Sequence, residues 1–113
     1  DASESVFLTK AIELVEKNLH VPGYSVEQLS RDLCMERTGL YRKLVAMLDQ
    51  SPSLFIRNIR LQRAAQLILE GSLSITEIAE RTGFSSSSYL SKCFQEMYGC
   101  RPSEYAEKMQ KST

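Results

Sequence analysis

The chain has 113 residues with 14 basic and 14 acidic side chains, so its net charge is zero at pH 7. With 42% hydrophobic and 25% charged residues it has the composition of one globular domain with a modest core. No apolar run approaches the ~20 residues of a membrane span, and the opening DASESVFL lacks the basic region of a signal peptide, reading instead as an interior segment of a longer protein.

The first helix is expected over residues 5–19, where Leu8, Ile12, Val15 and Leu19 recur at helical spacing. Glu13 and Glu16 fall on its polar side, so its expected work is packing. Pro22-Gly23 closes it with a turn. Ser25 and Gln28 then form an S-x-x-Q capping box at the start of a short helix reaching about Leu33. Cys34 holds the turn that follows. A longer helix is expected from about Arg37 to Leu48, with Leu40, Leu44 and Met47, joined by Val45, pointing inward. Ser51-Pro52-Ser53 sets an N-cap serine before a proline at the first helical position. The helix it starts, over residues 52–70, ends near Gly71. Its apolar residues, from Leu54 and Phe55 to Leu67 and Ile68, cover more than one stripe, which suits a helix serving two subdomains.

Ser74 and Glu77 form a second capping box, an S-x-x-E, before Ile75, Ile78 and Ala79. Gly83 breaks that helix because glycine adopts positive φ without steric cost. Phe84 follows as a buried plug, and Ser85 to Ser88 supply cap-type residues for a helix carrying Leu90, Phe94 and Met97. It stops at Gly99, Pro102 opens a last helix, and the tail from Lys108 to Thr113 is expected to fray. Short helix, tight turn, longer helix is the helix-turn-helix pattern, whose second helix enters a DNA major groove.

The pattern occurs twice. Ser25 to Ser30 matches Ser74 to Ala79 at an offset of 49, and Met35 falls opposite Phe84. Past the turn the offset is 50, pairing Leu40 with Leu90, Arg42 with Lys92, Leu44 with Phe94, Pro52 with Pro102 and Phe55 with Tyr105. Two copies of one supersecondary unit predict an all-α fold of about seven helices. The expected plan is two tandem helix-turn-helix subdomains, residues 5–50 and 74–110, joined by the long central helix. Between Arg37 and Arg63 stand six basic residues against Asp49 alone, so the neutral total conceals a basic stretch suited to phosphate.

The run IAERTGFSSSSYLSKCFQEMYGCRPSEY, with Arg60-Leu61 and Ala64-Ala65 in the connecting helix, resembles the DNA-binding domain of AraC/XylS-type transcription activators over nearly the whole chain. The run LCMERTGLYRKLVAMLDQSPSLFIRNIRL is similar to the output domains that end bacterial hybrid two-component regulators. The resemblance implies a single DNA-binding domain over residues 1–113 that acts in the cytoplasm on double-stranded DNA, with sensing and dimerisation upstream. It allows RNA polymerase as a further partner.

N-terminal residues of a recognition helix reach base edges. The base-reading candidates are therefore Arg37, Thr38, Tyr41 and Arg42 in the first copy, and Ser87, Ser88, Ser91 and Lys92 in the second. Arg42 is the sharpest, because its fork can pair with guanine O6 and N7. Phosphate candidates are Lys43, Ser51, Ser53, Ser86, Arg101 and Ser103, most of them at helix starts. Glu36 is expected to cap backbone N–H groups, with acceptance from a cytosine amino group as the other reading. Arg60 reads as exposed, reaching phosphate at best or pairing with an acid such as Glu96. The serine run departs from the larger side chains usual in the family, which weighs against strong base reading by that helix.

No glycine-rich phosphate loop, Cys/His nucleophile pair or metal-ligand cluster occurs, so no catalysis, cofactor or metal is expected. Cys34, Cys93 and Cys100 form no C-x-x-C pair and His20 has no ligand-type neighbour, which suits reduced thiols. The competing reading is a helical protein-interaction module with a basic face.

Overall fold

The computed structural model describes residues 2–111, and those residues form seven helices and no strand. They are α1 (Ala2–Lys17), α2 (Val26–Asp32), α3 (Arg37–Leu48), α4 (Pro52–Glu70), α5 (Ile75–Arg81), α6 (Ser87–Tyr98) and α7 (Pro102–Lys111). The chain divides into two compact units between Ile59 and Arg60, inside α4. The connecting helix is therefore shared: Phe55, Ile56 and Ile59 belong to the first core, and Leu61, Ala64, Ala65 and Leu67 to the second.

In the first unit, Ala11 and Val15 of α1 pack with Leu29 of α2 and with Leu40 and Leu44 of α3. All five are fully buried, and a buried leucine contributes about 1.5–3 kcal/mol of transfer free energy. The first helix starts and ends earlier than expected. Asn18 donates from its side chain to Leu14 O at 2.7 Å as the helix ends, and Leu19 is buried from the turn beyond it. Tyr24 is also buried and donates to Asp32 Oδ2 at 2.9 Å; burial and that carboxylate push its phenol well above the ordinary value.

The second unit repeats the arrangement with α5, α6 and the C-terminal half of α4 around Phe94, Leu90 and Cys93. Here Met97 is 40% exposed rather than inward. Its neighbour Tyr98 takes the place, because α7 covers that side: Tyr98 lies 4.5 Å from Phe94 and 5.1 Å from Tyr105, ring to ring. The Phe94–Tyr105 pair is edge-on at 5.2 Å, a favoured aromatic geometry. The same packing continues α7 as helix through Lys111, past the expected start of fraying, while Ser112 and Thr113 lie outside the described residues.

Helix starts follow the capping residues. Ser74 accepts from Glu77 N (3.2 Å) and Glu77 returns the bond to Ser74 N (3.1 Å), a complete capping box. At α2 the box is half-formed: Ser25 accepts from Gln28 N at 3.4 Å, without the return bond. Ser51 accepts from Leu54 N at 3.3 Å, one residue before α4 starts at Pro52.

Candidate nucleic-acid interface

The buried row Leu40 and Leu44 fixes the inner side of α3 and turns Arg37, Thr38, Tyr41 and Arg42 outward. Tyr41 is 53% exposed. Arg37 lies 3.4 Å from Glu27 of α2, an ion pair exposed on both sides and hence weak in free energy. Lys43 is half-buried, with Nζ 4.5 Å above the Phe7 ring. That cation–π contact ties α3 to α1 and draws this phosphate candidate towards the first helix.

The start of α3 differs from the expectation. Glu36 holds the N-cap position with extended backbone, yet its side chain makes no cap hydrogen bond. At the matching start of α6, Ser86 accepts from Tyr89 N at 3.0 Å. A glutamate has one more methylene than the aspartate that favours this position, and its carboxylate does not bond the backbone donors.

Within the first unit, a depression of about 620 Å³ brings Arg37, Thr38 and Tyr41 together with Ser51, Pro52 and Ser53 at the start of α4. Base-reading and phosphate candidates thus border one surface. The second unit carries its counterpart, about 440 Å³, where Ser91 meets Arg101, Pro102 and Ser103 at the start of α7. The two sets correspond at the offset of 50: Tyr41 with Ser91, and Ser51-Pro52-Ser53 with Arg101-Pro102-Ser103. The second start is built differently. Arg101 N donates to Glu104 Oε1 at 3.1 Å, and the Arg101 side chain remains largely exposed 4.0 Å from that carboxylate.

Along α6, Ser88 and Lys92 are exposed, whereas Ser87 and Ser91 are half-buried. Tyr89, absent from the sequence candidates, is 45% exposed, its ring 5.9 Å from Phe84. Its place beside Leu90, off the buried row, was the available signal. Each recognition helix thus carries one exposed tyrosine, at different positions: Tyr41 corresponds to Ser91, and Tyr89 to Gly39.

Arg60 corrects the expectation. It is 6% exposed, and its Nη1 donates to Thr82 O at 2.8 Å. Thr82 is itself fully buried and donates through Oγ1 to Ile78 O at 2.7 Å. The guanidinium serves a carbonyl at the end of α5 and is withdrawn from the basic surface. All three cysteines are free, Cys34 exposed and Cys93 and Cys100 buried. No described helix is long and apolar enough to cross a membrane.

A family model described as a helix-turn-helix domain matches residues 29–108, and solved structures that superimpose on the chain are AraC-type DNA-binding domains. The chain belongs to the AraC-type family. An AraC-type transcriptional regulator from Chromobacterium violaceum superimposes with a TM-score of 0.85 at 29% identity, covering 96% of each chain. The C-terminal domain of AraT, a response regulator from Geobacillus stearothermophilus, superimposes with a TM-score of 0.80 at 27% identity, over 90% of this chain and 84% of that one. Histidine kinase P4 of Formosa agariphila is 40% identical over 98 residues, which is 87% of this chain but 7% of the kinase. The chain is thus an AraC-type helix-turn-helix domain, and it spans a small part of the curated relatives it matches, 7% of the kinase and 29% of the HTH-type transcriptional regulator ArgR of Pseudomonas aeruginosa.

Proposed function

We propose that this chain acts as a single domain of two subdomains, the sequence-specific, double-stranded-DNA-binding output of a bacterial hybrid two-component regulator. α3 and α6 enter successive major grooves about one helical turn, ~34 Å, apart. Arg37, Thr38, Tyr41 and Arg42 read bases from α3; Ser88, Lys92 and Tyr89 meet the second groove, with Ser87 and Ser91 at its margin. The starts of α4, α6 and α7, with Ser51, Ser53, Ser86, Arg101 and Ser103, meet phosphates and set the register. Lys43 contributes at the edge of the first subdomain. The work is binding, without catalysis. Dimerisation through upstream domains, contact with RNA polymerase and action in the cytoplasm belong to the same proposal.

The observation that carries it is the pair of matching depressions, which set Arg37, Thr38 and Tyr41 of α3 beside the start of α4 and Ser91 of α6 beside the start of α7. The likeness to a short segment of a histidine kinase and to the C-terminal domain of a response regulator supports the two-component context. The test is selection of duplexes from a random library, followed by binding of the recovered site over a range of salt. Steep weakening with salt and a retained preference are expected. A chain with no preferred site and weak binding is instead a protein-interaction module.

A further inference from the structure

Four helix starts of this chain are closed by a serine that accepts from the backbone N–H three residues on: Ser25 at 3.4 Å, Ser51 at 3.3 Å, Ser74 at 3.2 Å and Ser86 at 3.0 Å. The start of α3 carries Glu36, exposed and without a cap bond. The adjacent cation, Arg37, is paired with Glu27 of α2. A carboxylate thus stands at the leading end of the first recognition helix with no backbone donor to serve. Near phosphate it would be repelled. In a major groove, an acceptor-only group finds one well-matched donor, the exocyclic amino group of cytosine. The adenine amino group is less suitable, because adenine N7 beside it is an acceptor and repels a carboxylate.

We infer that Glu36 is a specificity-determining residue that accepts a hydrogen bond from a cytosine N4 amino group at one base pair under the start of α3. This deepens the function proposed above and rests on it. The carboxylate does two things at once: it rewards a C·G pair at that position and penalises approach to any other sequence. Helix capping is forgone at the one recognition-helix start where a serine, as at Ser86, would have supplied it.

The experiment uses the duplex recovered by selection with the wild-type chain, and a panel of single-base-pair changes. Wild type, Glu36→Gln and Glu36→Ala are compared by competition, with thermal unfolding recorded for each. Wild type should prefer C·G at one position by roughly tenfold, the size of a typical mismatch penalty. Glu36→Gln should move that preference towards A·T, because a carboxamide pairs with adenine N6 and N7. Glu36→Ala should level the position to within about twofold and leave the others unchanged. A single common factor across the panel for both variants would mean that Glu36 merely repels phosphate, and overturns the inference. So does an unchanged panel with an altered melting temperature, which assigns Glu36 to the helix dipole alone. If the wild-type chain selects no site, the proposed function fails and this inference with it, a result separable from the other two.

Discussion

Cys34 and Gly83, 49 residues apart, hold the same left-handed turn, with φ of +56° and +79°. In both turns the N–H of the next residue reaches back across the helix end, Met35 N to Ser30 O and Phe84 N to Ala79 O, each at 2.9 Å. The bond inside it also recurs, Cys34 N to Arg31 O at 3.0 Å and Gly83 N to Glu80 O at 3.4 Å. Both helices therefore close with a Schellman motif, which favours glycine at the left-handed position. The first copy meets that demand with a cysteine.

A non-glycine residue in left-handed helical backbone costs ~1–2 kcal/mol. Cys34→Gly should therefore stabilise the chain by up to ~1 kcal/mol, after the added chain entropy of glycine is offset. Gly83→Ala should destabilise it by ~1–2 kcal/mol. Denaturant titration of both variants checks the pair. A loss of stability in Cys34→Gly would show that the thiol makes a contact outweighing the backbone strain.

Replacing all three cysteines with alanine should leave DNA affinity within about threefold, since none borders either depression, although the buried Cys93 will cost some stability. Stoichiometric zinc in the purified protein, or a far larger loss of affinity, contradicts a purely packing role for the thiols.

Glu77 supplies a pH dependence. Hydrogen bonds from the Ser74 backbone N–H and hydroxyl hold its carboxyl below the ordinary value. A folded-state pKa below the unfolded one gives stability that is present above the ordinary glutamate value and lost as pH falls through the depressed one. Melting temperatures of wild type and Glu77→Gln should thus differ most near neutral pH and converge in acid. A gap that stays constant from pH 7 to about 3, the range spanning the ordinary carboxylate values, would remove the charge from the capping box.

Capping and repetition were legible because they are local: a serine at a helix start or a residue in a left-handed turn depends on its immediate neighbours. Burial of long side chains is set at a distance. Arg60 follows no pattern that announces burial, because its partner is a backbone carbonyl 22 residues on, at Thr82. Met97 and Tyr98 are both apolar enough for the core, and the choice between them is made by Tyr105 of α7. The exposed side of α3 could be named from the Leu40/Leu44 row, whereas Tyr89 is easily passed over despite its place off the buried row, because a tyrosine beside a buried leucine reads equally well as core.

Arg42 and Arg60 should behave differently when each is truncated. Arg60 is buried on Thr82 O, and burial also lowers its pKa from the ordinary guanidinium value. Arg60→Ala should cost at least ~1.5–3 kcal/mol of folding stability, the range for a hydrogen bond to a charged group. Folded Arg60→Ala should keep its base preference. Arg42→Ala should leave the melting temperature nearly unchanged and lose ~1–3 kcal/mol at one base pair. If Arg42→Ala weakens every duplex by one factor, Arg42 meets phosphate and not guanine.

The two recognition helices should contribute unequally. α3 offers Arg37, Thr38, Tyr41 and Arg42, all exposed, while α6 offers Ser88, Lys92 and Tyr89 exposed and keeps Ser87 and Ser91 half-buried. Short hydroxyls reach phosphates or single base edges and do not form bidentate pairs, whereas arginine does. Lys92 adds a point charge, which attracts any sequence. Tyr89 narrows the gap, since its ring can lie against a thymine methyl, but one apolar contact does not match a guanidinium fork. Scrambling the half-site under α3 should therefore cost more affinity than scrambling the half under α6, by ~1–3 kcal/mol for each specific base pair lost. Competition binding with the two half-scrambled duplexes measures the difference directly. Equal penalties, or a larger one under α6, would mean that Tyr89 and the serines read bases as effectively as Arg42, and that the exposed basic residues of α3 serve phosphate.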